Sequence, residues 1–307
     1  MMLRGNWATL LLPISADDSI DFARLDEELS YLAQARLDGI YSNGTAGEFH
    51  NQTEAEFDRI QELLSIRCRA TGTPFVVGAC HTDPSVSLGR IRRATALRPR
   101  AIQVILPDWV PVTDEEAIDF LALANEAASG VPLVLYNPPH AKRVLGPAPL
   151  AALLRRCGIG AAKIGDGDAA WYREAREHLQ GISILVPGHH LATGVKERVA
   201  AGAFSNVACL SPTGSQRWTD RMAQDIDACL NVERRLRGFI DAHIAPFGRE
   251  QRYSNAALDE LLAAIGGWAS VGTRLRRPYR FIDESEAARL RPIAQAAIPE
   301  LFEYPSA

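Results

Sequence analysis

The chain predicts a (β/α)8 (TIM) barrel followed by a C-terminal helical extension, on three observations. Eight short β-rich runs alternate with longer amphipathic runs. Most of the strand candidates lack polar alternation, as parallel strands covered on both faces do. After about residue 220 the strand pattern stops and helical periodicity takes over. The expected division is a barrel over 1–220 and a helical extension over 221–307. A doubly wound open sheet, the rival, usually opens on a Gly-rich turn, and no G-x-G-x-x-G follows the first strand.

The strand candidates are 7–12 (WATLLL), 39–42 (GIYS), 74–79 (PFVVGA), 101–106 (AIQVIL), 131–136 (VPLVLY), 160–164 (GAAKI), 182–186 (ISILV) and 206–210 (NVACL). The first helix, Asp21–Arg36, gathers Phe22, Leu25, Leu29, Leu32 and Ala33 on one face. Thr53 opens the second with Glu56 three residues on, a capping-box pattern, and Thr113 opens the fourth in the same way. Asp83-Pro84 starts the third with proline at the first helical position. Beyond the barrel, 222–245, 254–265 and 284–297 read as helices.

A length of 307 residues suits one large domain, or a barrel with an appendage. The net charge of −4 disfavours nucleic acid or an anionic membrane as the main partner. The basic runs at 90–100 and 274–280 read as solvated helix faces, the second with arginines available for interface ion pairs. Five cysteines without a C-x-x-C indicate neither a disulfide framework nor a zinc site, so a reducing, cytoplasmic setting is the expectation. The N-terminal run lacks the features of a signal peptide, and no apolar stretch approaches the ~20 residues of a membrane helix.

In such a barrel the active site lies at the carboxyl ends of the strands. Gathered there are the loop 42–49 (SNGTAGEF), Cys80-His81, Pro107-Asp108-Trp109, 136–140 (YNPPH), Lys163, 187–190 (PGHH) and, after the eighth strand candidate, Ser211-Pro212. Lys163 stands out because the chain has only three lysines, Lys142, Lys163 and Lys196, and this one interrupts an apolar strand. A buried ammonium tends to lose its proton, and a neutral amine is a nucleophile that condenses with a carbonyl to a Schiff base. A lysine snorkelling to solvent from the strand end is the plain alternative.

Tyr136 ends the neighbouring strand, within reach of that amine, and a phenol passes protons when another hydroxyl relays them. Thr45 can supply that hydroxyl; a tyrosine merely packed on the barrel rim is the alternative reading. In GTAGE, Gly44 and Gly47 permit a tight turn in which the amides of Thr45 and Ala46 point at one carboxylate, although many such turns only cap a helix. Glu48 is expected to anchor the loop by accepting backbone N–H bonds.

Together these pieces resemble the dihydrodipicolinate synthase/N-acetylneuraminate lyase family of class I aldolases. GTAGE (44–48) stands at its carboxylate loop, YNPP (136–139) at its Tyr-Asn-x-Pro motif and AAKIGDGD (161–168) at its lysine strand, in the family's order and over nearly the whole chain. The resemblance implies Lys163 as the Schiff-base residue, Tyr136 as proton shuttle, and the Thr45 and Ala46 amides as holders of a 2-oxo acid's carboxylate. It also implies a homotetramer built from tight dimers, with no metal and no organic cofactor.

The departures bear on substrate. The synthase has a second threonine where Ala46 stands, and a tyrosine lent across the dimer interface where Trp109 stands; indole has no hydroxyl to relay a proton. Its arginine after the Tyr-Asn-x-Pro motif has only Lys142 or Arg143, in a shifted place. Lysine-pathway synthase activity is therefore not expected. The sialic acid lyases hold sugar hydroxyls with an acidic pair where His189-His190 stands, and with a serine that falls near Cys209.

With His81 and His140 the rim is rich in imidazole, without spacing that supports a metal site; hydrogen bonding or acid–base work on the aldehyde side is the preferred role. Capping of loops is the plain alternative for two of these histidines, and Trp109 could offer an aromatic wall. The reading reached is a lyase that cleaves a pyruvate-type 2-oxo acid to pyruvate and an aldehyde through a Lys163 imine. Two alternatives stand beside it: a dehydratase of 2-oxo-3-deoxy sugar acids using the same imine, and a 2-oxo acid binding protein that has lost catalysis.

Overall fold

The computed structural model describes residues 3–165 and 167–302. Asp166, inside the 161–168 motif, and the last five residues of the expected extension lie outside the described residues. The strands are β1 (Gly5–Thr9), β2 (Gly39–Ser42), β3 (Phe75–Gly78), β4 (Ala101–Ile105), β5 (Leu133–Asn137), β6 (Ala161–Ile164), β7 (Ser183–Pro187) and β8 (Ala200–Ser205). They pair in chain order, all parallel, and β8 closes back on β1. The barrel helices are α1 (Phe22–Gln34), α2 (Glu54–Thr71), α3 (Pro84–Ala96), α4 (Asp114–Ala128), α5 (Pro147–Arg156), α6 (Ala169–His178) and α7 (Leu191–Lys196). After β8 come α8 (Asn206–Leu210), α9 (Pro212–Arg221), α10 (Ile226–Phe239), α11 (Ala245–Arg249), α12 (Asn255–Gly266), α13 (Glu284–Ala297) and α14 (Pro299–Phe302).

The helix starts follow from the expected caps. Thr53 and Thr113 each close a capping box with the glutamate three residues on, and Asp83 caps α3 ahead of Pro84. Burial separates two apolar layers. The outward faces of the strands pack against the helices, with Leu25, Leu29, Leu64, Ile91, Leu121 and Leu154 almost wholly buried. The inward faces plug the barrel with Trp7, Tyr41, Val76, Val134, Ala161, Leu185 and Phe204. Because strand side chains alternate faces, Lys163 points to the same interior as Ala161, and Tyr136 to the same interior as Val134.

Two expectations need correction. The eighth strand is Ala200–Ser205, and 206–210 is helix α8 instead. A short apolar run such as NVACL suits either state. Here Ser205 decides it, its hydroxyl accepting the Ala208 N–H at 3.1 Å as an N-cap. The true strand escaped notice because it is built of small residues. Gly202 lies against β1, where a Cβ would meet the Gly5 carbonyl oxygen at 2.3 Å. The second correction is at 90–100. Arg90 is wholly buried rather than solvated; it donates to the carbonyls of Phe49 (3.0 Å) and Cys80 (2.8 Å) and pairs with Glu54 at 2.9 Å. It therefore ties the loop after β2 to the end of β3.

Candidate active site at the carboxyl ends of the strands

Strand pairing places the centre of the site. Tyr136 of β5 and Lys163 of β6 are register partners, so their side chains leave the barrel wall side by side. The Lys163 amine lies 4.2 Å from the Tyr136 ring centroid and 4.8 Å from that of Tyr41, with Phe204 stacked on Tyr41 beneath it. Lys163 Nζ donates to Tyr41 Oη at 3.1 Å. Burial pushes the lysine pKa down to about 8, the negative ends of Cys80 and Asp259 opposing that shift. At pH 7 about a tenth of the amine is then unprotonated, far more than for an ordinary lysine. Burial also pushes Tyr136 up to about 12, with the Thr45 hydroxyl pulling the other way. That hydroxyl is buried with no partner at full hydrogen-bond geometry, close enough to the phenol to affect it.

The GTAGE loop closes over this centre. Gly44 is required by close approach, since a Cβ there would stand 1.3 Å from Tyr41 Oη. Thr45 and Ala46 line the lysine cavity, and among the described residues neither N–H donates to a backbone carbonyl. Two such amides beside a small cavity can serve as an anion cradle. Glu48 sits in the left-handed region at φ 45°. Its carboxylate accepts from Asn51 Nδ2 at 3.4 Å, and burial lifts its pKa to about 7.

The lysine cavity has a volume of about 190 Å3. Three of its walls were not foreseen from sequence: Thr9 of β1, Tyr41 of β2, and the pair Asn255 and Asp259 of α12. Asp259 is nearly buried and accepts from Asn255 Nδ2 at 2.9 Å. Burial pushes its carboxyl up to about 7, against the pull of Lys163. The helices beyond the barrel therefore supply the carboxylate that faces the amine.

Of the outer residues, His140 and His189 reach this cavity; His189 Nδ1 lies 3.0 Å from Asn206 Oδ1. His190 packs on the His189 ring at 4.2 Å and faces a neighbouring cavity with Arg237 and Arg249. Cys209 is not brought to the site. It lies one helical turn past β8, buried at 1%, its thiol directed at the Ser205 carbonyl at 3.9 Å. Trp109 is not brought in either: it is 80% exposed, with Lys142 Nζ 4.7 Å above its ring. His81 caps a loop, its Nδ1 accepting the Asp83 N–H at 2.9 Å. Arg143 is taken up by the Val112 carbonyl and by Asp114. Among the described residues no cluster of three His, Cys, Asp or Glu side chains is arranged to hold a metal ion.

Fold and site define a (β/α)8 barrel with a half-buried lysine beside a tyrosine at the strand ends. The chain belongs to the dihydrodipicolinate synthetase family, whose model matches residues 2–297. It is 29% identical over 168 residues to an N-acetylneuraminate lyase of Enterobacter sp. (strain 638), covering 54% of this chain and 56% of that protein. It is 28% identical over 179 residues to the N-acetylneuraminate lyase of Escherichia coli (strain SMS-3-5 / SECEC), covering 57% and 60%. The match thus spans little more than half the length of these relatives. A prophage protein of the dihydrodipicolinic acid synthase family from E. coli K12, solved in complex with pyruvate, superposes with a TM-score of 0.84 at 19% identity, over 97% of this chain and 99% of that one. The sialic acid aldolase of Aliivibrio salmonicida gives 0.81 at 18% identity, over 97% of each.

Proposed function

We propose that the chain is a Schiff-base lyase that cleaves a pyruvate-type 2-oxo acid reversibly to pyruvate and an aldehyde. The observation that carries this reading is the Lys163 amine, brought to about pH 8 by burial and set beside Tyr136 in a cavity walled by the Thr45 and Ala46 amides. The substrate carboxylate sits on those two amides. The Lys163 nitrogen attacks C2 of the ketone, and the carbinolamine loses water to give an iminium. A base takes the proton from the C4 hydroxyl as the C3–C4 bond breaks. The electron pair flows into the iminium, leaving an enamine and free aldehyde. Protonation at C3 and hydrolysis then release pyruvate and restore the amine. Tyr136, with Thr45 beside it, is the proton carrier in this scheme. Asp259 supplies the negative charge that faces the iminium.

The exposed pair Trp109–Val110 supports a homo-oligomer, for which a tetramer of tight dimers is the proposal. Five unpaired cysteines fit a reducing, cytoplasmic setting.

Reduction with borohydride in the presence of pyruvate is the test. A reduced pyruvyl adduct on Lys163 is expected, and its absence would sink the reading. Coupling released pyruvate to lactate dehydrogenase while assaying aldehyde separates cleavage from dehydration, which expels water and leaves the carbon chain whole.

A further inference from the structure

Beyond the amine the pocket widens into a vestibule of about 560 Å3. It shares Thr45, Tyr136, His140 and Asn255 with the lysine cavity, so a molecule joined to Lys163 extends into it. Its wall is formed by Phe49, Ile105, Leu106, Val112, Leu275 and Tyr279. Of its charged lining residues, Arg143 and Asp108 are committed to the protein, while Glu48 accepts from Asn51 with one carboxylate oxygen and leaves the other without a partner among the described residues. Arg143 donates to the Val112 carbonyl and pairs with Asp114, and Asp108 accepts the Lys142 N–H at 2.8 Å. The imidazoles of His50 and His140 are held neutral near pH 7, burial lowering both, and His50 stands edge-on to Tyr279 at 4.9 Å.

A second outlet, of about 400 Å3, opens past His189, Asn206, Asn255 and Asp259. Those four are bonded in pairs, His189 to Asn206 at 3.0 Å and Asn255 to Asp259 at 2.9 Å. One polar atom of each is thereby engaged, and Arg249 and Asp241 in the same outlet pair at 3.3 Å, so a chain of hydroxyls entering there would compete with protein hydrogen bonds. The vestibule's wall is mostly apolar, so most of such hydroxyls would lose their water there without replacement.

We infer that the aldehyde-side portion of the substrate is apolar, an aromatic or branched aliphatic group rather than a polyol, and that it occupies the vestibule. This inference rests on the Schiff-base reading and deepens it. The test runs the reaction in the condensing direction, pyruvate with benzaldehyde, 3-methylbutanal or glyceraldehyde. Each apolar aldehyde is expected to give a kcat/KM at least about tenfold above that of glyceraldehyde. Val112→Asn, at a half-buried wall position, is expected to erode that preference severalfold while pyruvate trapping on Lys163 persists. Equal or better use of glyceraldehyde, or an unaltered preference in Val112→Asn, overturns the inference. If borohydride traps pyruvate on Lys163 yet no apolar aldehyde is consumed, the vestibule assignment fails while the lysine chemistry stands. If no adduct forms, both fall.

Discussion

The two halves of the pocket are built differently. The inner half, Lys163, Tyr136 and Tyr41 with the Thr45–Ala46 turn, hangs on the parallel strands β6, β5 and β2 or on the loop that leaves β2 directly. Once Tyr136 and Lys163 are register partners, the two-residue period of the strand fixes which way both side chains point. The outer half, Trp109, His189, His190 and Cys209, lies past the strand ends in loops and short helices, where one residue of shift turns a side chain to another surface. The inner residues converge. Of the outer ones, only His189 reaches the lysine cavity. On the proposed function, the reaction chemistry is set by barrel geometry, and the recognition of the rest of the substrate by its connections.

The strongest way to break this contrast is at the amine. Lys163→Ala should abolish the borohydride adduct and lower kcat by about a thousandfold or more. Lys163→Arg should do the same, because a guanidinium keeps its charge and forms no imine under these conditions. Residual turnover close to that of the unaltered enzyme would place the chemistry elsewhere. Next comes Tyr136→Phe. It keeps the ring that packs 4.2 Å from the amine but removes the proton carrier. It should reduce kcat about a hundredfold or more while pyruvate is still trapped on Lys163. Loss of trapping together with kcat would mean that Tyr136 orders the lysine rather than moving protons.

The barrel was legible because eight apolar runs with capped helices between them leave few other topologies, and the inner site because a lysine in an apolar strand is costly unless used. The same signal was present, and passed over, in α12. Asp259 and Glu260 interrupt NAALDELLAAIG, an otherwise apolar helix, and both are buried. Tyr41 was hidden for the opposite reason: a tyrosine inside GIYS looks like an ordinary strand residue. Its bond from Lys163 Nζ and the contact that excludes a Cβ at Gly44 mark it as part of the site. The eighth strand was misplaced because AAGAFS is poor in β-branched residues, while NVACL next to it carries the apolar run. That shift of one element moved Cys209 from an imagined strand end to the buried side of a helix.

Asp259 tests whether α12 belongs functionally to the inner half. Its negative charge raises the Lys163 pKa against the dominant effect of burial. Asp259→Asn should therefore lower that pKa further, and the rise of kcat/KM with pH, which follows the free amine, should move to lower pH. Because the iminium also loses its facing charge, the plateau should drop about tenfold. A profile unmoved on the pH axis would show that Asp259 is too well screened to act on the amine, and would return α12 to a purely structural role.

The smallest effect on activity is expected at Cys209, and this makes it the sharpest control. Its thiol is buried at 1% among apolar neighbours of α8 and lies 3.9 Å from the Ser205 carbonyl, outside the lining of the lysine cavity. Cys209→Ala removes one large atom from a packed layer, which should cost about 1 kcal/mol of stability, read as a lowered Tm or denaturant midpoint. In the folded population kcat/KM should change by less than about twofold, because no substrate contact is lost. Were Cys209→Ala instead to lower kcat/KM as much as Asp259→Asn at unchanged stability, the thiol would have to reach the substrate. The position of β8, and with it the division between the two halves of the pocket, would then be wrong.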